Sequence, residues 1–198
     1  TPRPNVPSFV LPNLLGDLGT LGEAAHGSPV DGPRVPIRAL AFLGRLETRK
    51  GIHLFTAALD ILHGHGIPPA LQPLPVTWVG KDPPAHPTLP ALDARCSAWA
   101  PAISCTFVTD AGRPRVLKML ASAADDGLLV VTPSLSENAP YTVAEAAALG
   151  APLVATRVGG IPELLANHSA TLVQPQPTAL AAAIRYALQH GARRAIPS

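Results

Sequence analysis

From residue 37 onward, short apolar runs rich in β-branched residues alternate with windows of helical periodicity, and this alternation restricts the chain more than any other feature. The runs fall at 38–43, 76–79, 103–108, 128–131, 153–155 and 171–173, and the helical windows at 51–63, 89–98, 115–124, 141–149, 161–166 and 179–189. Strands that read as nearly unbroken apolar runs between helices are buried on both faces, which predicts a parallel sheet covered by helices on each side. Six such strands fit a Rossmann-like, doubly wound α/β domain. In the first helical window Ile52, Phe55, Leu59 and Leu62 recur at helical spacing, and Gly64 or Gly66 is the expected stop. In the last, Thr178 is the expected cap, Leu180, Ile184 and Leu188 form the apolar stripe, and Gly191 marks the end.

The 198 residues suffice for one full domain with a sizeable core. A hydrophobic fraction of 47% argues against disorder of the whole chain, while the charged fraction of 14% lies well below the roughly 25% of ordinary soluble domains. The net charge is only +2, and no basic run with interleaved aromatics exists to follow a phosphate backbone, so nucleic acid is not an expected partner. No stretch approaches the ~20 uninterrupted apolar residues of a transmembrane segment, and the N-terminus lacks a signal-peptide pattern. The expectation is a soluble, cytoplasmic chain. Cys96 and Cys105 form no CxxC pair and are expected as plain buried or free thiols, with neither a disulfide scaffold nor a zinc site. The 24 prolines concentrate at 1–36, 67–75 and 83–90, which assigns residues 1–36 to a Pro/Gly-rich linker or arm packed on the domain edge. Residues 37–190 then form the folded domain and 191–198 a tail. An arm of this kind more naturally follows an upstream domain than opens a protein.

In open α/β sheets the ligand lies outside the carboxyl ends of the strands, so the strand-to-helix loops are where chemistry is expected. The loop from Phe42 to Gly51 reads FLGRLETRKG. Gly44 permits close backbone approach, Arg45 offers a planar fork, Lys50 a point charge, and the helix start at Gly51 unpaired amides. That is a diphosphate site in outline, and composition alone allows an ordinary basic surface loop equally well. Glu47 and Arg49 are assigned to the solvated surface. The stretch from Ser134 to Thr156 places Glu137 and Glu145 eight residues apart around a helix start, with Asn138 as the expected cap. Eight helical residues rise about 12 Å, roughly the span from a ribose to a sugar joined through a diphosphate. The small apolar neighbours Ala144, Ala146, Ala147, Ala148 and Leu149 imply a specific partner for Glu145. The plainer alternative has Glu137 stabilising a helix N-terminus and Glu145 exposed.

Other features carry less. Asp125 and Asp126 are adjacent, precede a strand and read as a solvated turn. Thr109 and Asp110 follow the third strand and are secondary candidates. Gly159 and Gly160 permit close backbone approach or start a helix. His53, His63, His65 and His86 read as ordinary surface or packing residues.

Three motifs, F-L-G-R-L-x-x-x-K-G, then E-x7-E, then G-A-P-L-V-A-T-x-V-G-G-I-P-E-L, resemble the family-4 glycosyltransferases, over about residues 37–189. The resemblance implies the C-terminal half of a GT-B fold, two Rossmann-like domains with the active site in the cleft between them. It implies transfer with retention of anomeric configuration, without a bound metal or cofactor, from a nucleotide-diphosphate sugar such as a UDP-, GDP- or ADP-sugar. By the same resemblance Arg45 and Lys50 hold the diphosphate and stabilise the departing charge, Glu137 faces the donor sugar, and Glu145 binds the ribose. Gly44, Thr109, Asn138, Ala139, Tyr141 and Thr142 complete the implied donor-binding set. Two departures stand out: the family commonly has Gly-rich residues after the first Glu, whereas Pro140 here has no N–H, and the N-terminal GT-B domain that would carry the acceptor site is absent from these residues. The isolated domain is therefore expected to bind a donor but hardly turn over. A catalytically decayed scaffold module of a larger protein and a GT-B epimerase are the competing readings, with intact Arg45, Lys50, Glu137 and Glu145 against decay.

Overall fold

A computed structural model describes residues 33–85, 87–166 and 168–195. Six strands, β1 (Ala39–Leu43), β2 (Leu74–Val79), β3 (Ile103–Val108), β4 (Leu128–Thr132), β5 (Leu153–Thr156) and β6 (Thr171–Val173), lie within two residues of their expected bounds. All pair in parallel in one sheet of order β3-β2-β1-β4-β5-β6. The helices are α1 (Ile52–His65), α2 (Leu89–Trp99), α3 (Arg113–Ser122), α4 (Tyr141–Ala148), α5 (Ile161–Leu164) and α6 (Pro177–His190). The architecture is the expected Rossmann-like α/β sheet.

Each strand's alternating side chains feed two cores. On one face Leu40, Phe42, Trp78 and Ile103 pack with residues of α1, α2 and α6; on the other Leu43, Val79, Val130 and Leu153 pack with residues of α3, α4 and α5. The first core is anchored by aromatic rings. Phe42, Phe55 and Trp78 lie with centroids 5.0 to 5.9 Å apart, and Phe107 adds a fourth ring 6.3 Å from Trp78.

Several local expectations fail. Thr178 does not cap α6: the helix begins two residues earlier than expected, at Pro177 with Gln176 in the cap position, because proline's fixed φ and missing N–H suit a first helical position. Asn138 does not cap α4 either. That helix starts at Tyr141, so only part of the eight-residue step from Glu137 to Glu145 is helical, and the 12 Å helical rise does not apply. The loop before it is held elsewhere, by Glu137, whose backbone carbonyl accepts from the Gly160 N–H at 3.3 Å. Cys96 and Cys105 are not free thiols but disulfide-bonded, nine residues apart in sequence. One lies in α2 and the other in β3, which pack together and bring the two Cα atoms to 6.0 Å, within normal disulfide reach.

Residues 1–32 of the expected arm and 196–198 of the expected tail lie outside the described residues, as does His86. Just before β1, Val35 forms an antiparallel bridge to Ala192, and the Arg34 guanidinium donates to the Gly191 carbonyl at 3.0 Å.

Candidate functional site

Strand order runs one way from β1 through β2 to β3 and then returns to the opposite side of β1 with β4. Connections leaving β1 and β4 therefore diverge to opposite faces and leave a crevice at their carboxyl ends, the topological switch point of an open α/β sheet. The two loops singled out above are the two that leave these strands.

After β1, a single 3₁₀ turn (Thr48–Lys50) precedes Gly51, which caps α1 with φ of 74° and no side-chain cap. The left-handed conformation favours glycine, and a Cβ there would overlap the carbonyl oxygen of Pro133 in the loop after β4. Loop and helix start are thus in direct backbone contact, reinforced by the Leu135 N–H donating to the Arg49 carbonyl at 2.8 Å. The uncapped first turn of α1 leaves amides available to an anion.

Glu137 lies at the centre. Its carboxylate is 6% exposed, is ion-paired with Lys50 through Oε1, and accepts from Ser134 Oγ at 2.7 Å on the same oxygen. Arg49 approaches Oε2 at 3.7 Å and donates to the Ser136 carbonyl at 3.3 Å. Arg49 is solvent-exposed as expected, at 45%, while Glu47 is partly buried; Glu47 Oε1 bridges Arg45 at 3.1 Å and Arg49 at 3.2 Å, which adds both residues to the same charged cluster. Arg45 remains 57% exposed, and an exposed pair of this kind contributes only about 0–1 kcal/mol, so its fork is readily exchanged for a competing anion.

A second buried carboxylate sits one turn into α4. Glu145 is 7% exposed among the buried Ala144, Ala146 and Ala147, and its Oε1 accepts from Arg113 Nε at 2.8 Å. Arg113 is the specific partner that the alanine surroundings demanded, but nothing in the sequence singled it out. It opens α3, thirty-two residues away. Ser134 was missed as well, although its place three residues before Glu137 was a local signal.

Of the remaining candidates, Gly44 directly follows β1 beside the aliphatic stem of Lys50, Thr109 follows β3 and is half-buried, and Asn138 is exposed. Ala139 and Thr142 are half-buried, and Tyr141 is 50% exposed at the start of α4. Gly159 and Gly160 take both roles foreseen for them. A Cβ on Gly159, at φ 51°, would overlap the Glu137 carbonyl oxygen, and Gly160 caps α5. Asp110 is 88% exposed with only a 3.9 Å contact to Arg115, and Asp125 pairs with Arg194 on the surface.

A parallel sheet whose switch point gathers three cations, an uncapped helix start and two buried carboxylates has the form of an anion-binding Rossmann-like domain. Comparison with known proteins makes that class specific. The family described as glycosyl transferases group 1 matches residues 37–190. A D-inositol 3-phosphate glycosyltransferase of Mycobacteroides abscessus is 31% identical, covering 84% of this chain and 35% of its own length. A putative teichuronic acid biosynthesis glycosyltransferase of Bacillus subtilis, TuaC, is also 31% identical, covering 74% of this chain and 32% of its own. Among solved structures, sucrose-phosphate synthase of Thermosynechococcus elongatus superposes with a TM-score of 0.59 at 26% identity, over 78% of this chain and 36% of that one. The C-terminal domain of LpcC from Francisella tularensis, a group 1 glycosyl transferase, superposes at 0.58 and 19% identity, over 78% of this chain and 77% of that domain. Anabaena HepE, solved with UDP, superposes at 0.58 and 21% identity, over 77% of this chain and 39% of that one. The chain belongs to the group 1 glycosyl transferases and has the fold of a C-terminal GT-B domain. It spans about a third of the length of the curated relatives it matches. No helix among the described residues is long and apolar enough to cross a membrane.

Proposed function

We propose that this chain is the donor-binding domain of a retaining, metal-independent glycosyltransferase that takes its sugar from a nucleotide diphosphate. The observation that carries this reading is the pairing at the switch point: Lys50 from the β1 loop holds Glu137 from the β4 loop, Arg45 joins the same cluster through Glu47, and Glu145 lies further along α4. Arg45, Lys50 and the first amides of α1 would receive the diphosphate and stabilise the negative charge that develops on it as the glycosidic bond breaks. Glu137 holds Lys50 through Oε1 and would offer Oε2 to a sugar hydroxyl, while Glu145 would accept from the ribose. One guanidinium and one ammonium group at the leaving group would take the place that a divalent cation has in other transferases.

The acceptor site is proposed to lie on an N-terminal GT-B domain outside this sequence, so the chain alone binds donor without appreciable turnover. The cytoplasm is proposed as its compartment from the sequence reading alone; a Cys96–Cys105 disulfide is unusual there. The competing reading is a catalytically decayed scaffold module of a larger protein; the presence of Arg45, Lys50, Glu137 and Glu145 supports the transferase reading over it.

Titration calorimetry of the chain with UDP, GDP and ADP tests the reading. At least one is expected to bind below the millimolar range, to lose affinity in Arg45→Ala with Lys50→Gln, and to bind equally with added Mg²⁺ or EDTA. Absence of binding, or equal binding by the folded double variant, refutes the site. A strong metal requirement refutes the metal-independent mechanism.

A further inference from the structure

We propose that Arg113 is a positioning residue for the nucleotide: by holding Oε1 of Glu145 it fixes the carboxylate plane so that Oε2 is presented to the ribose hydroxyls. This rests on the reading of Glu145 as the ribose carboxylate. The terminal torsion of a glutamate is broad and roughly two-fold, so a buried carboxylate needs a directional donor to set its plane. Glu145 is such a carboxylate, 7% exposed, and Arg113 Nε donates to its Oε1 at 2.8 Å. That distance is typical of a charge-assisted bond, and it comes from a guanidinium nitrogen whose direction is fixed by its own planar group.

The placement of the arginine matters as much as the bond. Arg113 is the first residue of α3, directly after the loop that leaves β3, and α3 packs beside α4. Its side chain is 60% exposed, so it reaches Glu145 from the open side of the crevice rather than from the core. A residue there belongs to the rim that a nucleoside would occupy. The bond also ties Glu145 to the loop holding Thr109 and Asp110, joining the ribose carboxylate to the loop after β3.

The probes are UDP and inorganic pyrophosphate, which share the diphosphate and differ in the nucleoside, titrated into the wild-type chain, Arg113→Ala, Arg113→Lys, Glu145→Ala and the Arg113→Ala/Glu145→Ala pair. Arg113→Ala is expected to weaken UDP about tenfold, the effect of losing part of one charge-assisted hydrogen bond, and to leave pyrophosphate unchanged. Arg113→Lys, which keeps the charge but loses the planar donor, is expected to fall between. In the Glu145→Ala background, removing Arg113 is expected to have no further effect. The proposal is overturned if Arg113→Ala leaves UDP unchanged, if it weakens pyrophosphate as much as UDP, or if it weakens UDP equally with and without Glu145. A wild-type chain that binds neither probe refutes the donor-site reading itself and this inference with it. UDP bound through Arg45 and Lys50 but indifferent to Arg113 refutes the inference alone.

Discussion

Lys50 and Glu137, eighty-seven residues apart in sequence, form an ion pair across the switch point between β1 and β4, with 15% and 6% of their side chains exposed. A pair so enclosed is weak evidence for net stability, since desolvating both charges offsets much of their attraction. Its asymmetry is more informative, because removing one partner strands the other away from water.

Lys50→Ala is therefore expected to destabilise the chain by about 3–5 kcal/mol, and adding Glu137→Gln to restore a large part of the loss. Urea unfolding of the two variants and the wild type measures both numbers. A Lys50→Ala variant within about 0.5 kcal/mol of wild type, the scatter of ordinary surface changes, would mean that the pair is not formed in solution.

The two carboxylates should separate by ligand. Glu145→Gln is expected to weaken a nucleoside diphosphate and the intact nucleotide sugar alike, by about 1.5–3 kcal/mol, because both carry the same ribose. Glu137→Gln removes a negative charge beside Lys50, so the bare diphosphate should bind as well as before or better, and only the intact donor should lose affinity. In the complete enzyme its effect should fall on kcat more than on KM if the sugar contact strengthens in the transition state. Equal losses for both variants on the bare diphosphate would show that the pair does not divide sugar from ribose.

Gly159 presses against the backbone of Glu137, and its φ of 51° is one that an L side chain adopts only with strain. Gly159→Ala is expected to cost at least about 1–2 kcal/mol from the backbone conformation alone, with more from overlap with the Glu137 carbonyl. Because relief requires the 134–139 loop to move, donor affinity should fall together with the melting temperature. A variant that melts and binds like wild type would show that this contact does not hold the loop.

His168 supplies a pH-dependent contribution outside the site. Burial lowers its pKa below the usual 6.5, against a smaller opposing effect of a backbone hydrogen bond to Leu164. The folded chain thus binds fewer protons here than the unfolded chain, so this residue's contribution is fully present above about pH 6.5 and is lost as pH falls from there through the folded value. Replacing it in His168→Asn should flatten the stability profile on the acid side of about pH 6.5 relative to wild type. Parallel profiles for the two proteins would contradict the assignment.

Strand positions, helix order and the two chemically important loops could be read from local pattern, because apolar periodicity and glycine punctuation are written residue by residue. The same was true of the need for a partner at Glu145, since five small apolar neighbours in sequence already define a poor environment for a lone carboxylate. Which residue answers that need was not legible. Arg113, Arg49 and Arg115 look alike in sequence, yet only Arg113 reaches Glu145.

What the sequence determined by itself was the alternation that forces a two-sided parallel sheet, and with it the carboxyl-end edge where Arg45, Lys50, Glu137 and Glu145 must lie. Periodicity suffices for this, because burial on both faces leaves few ways to arrange six such strands. The tertiary structure decided the partners. Cys96 met Cys105 because α2 packs on β3, Lys50 met Glu137 because β1 and β4 became neighbours, and Asn138 lost its cap because the Glu137 loop was drawn toward Lys50 and Gly159. Each of these outcomes turns on a contact between segments remote in sequence, where the local preference of a capping asparagine, worth about 1 kcal/mol, is smaller than the cost of leaving a buried carboxylate unpaired.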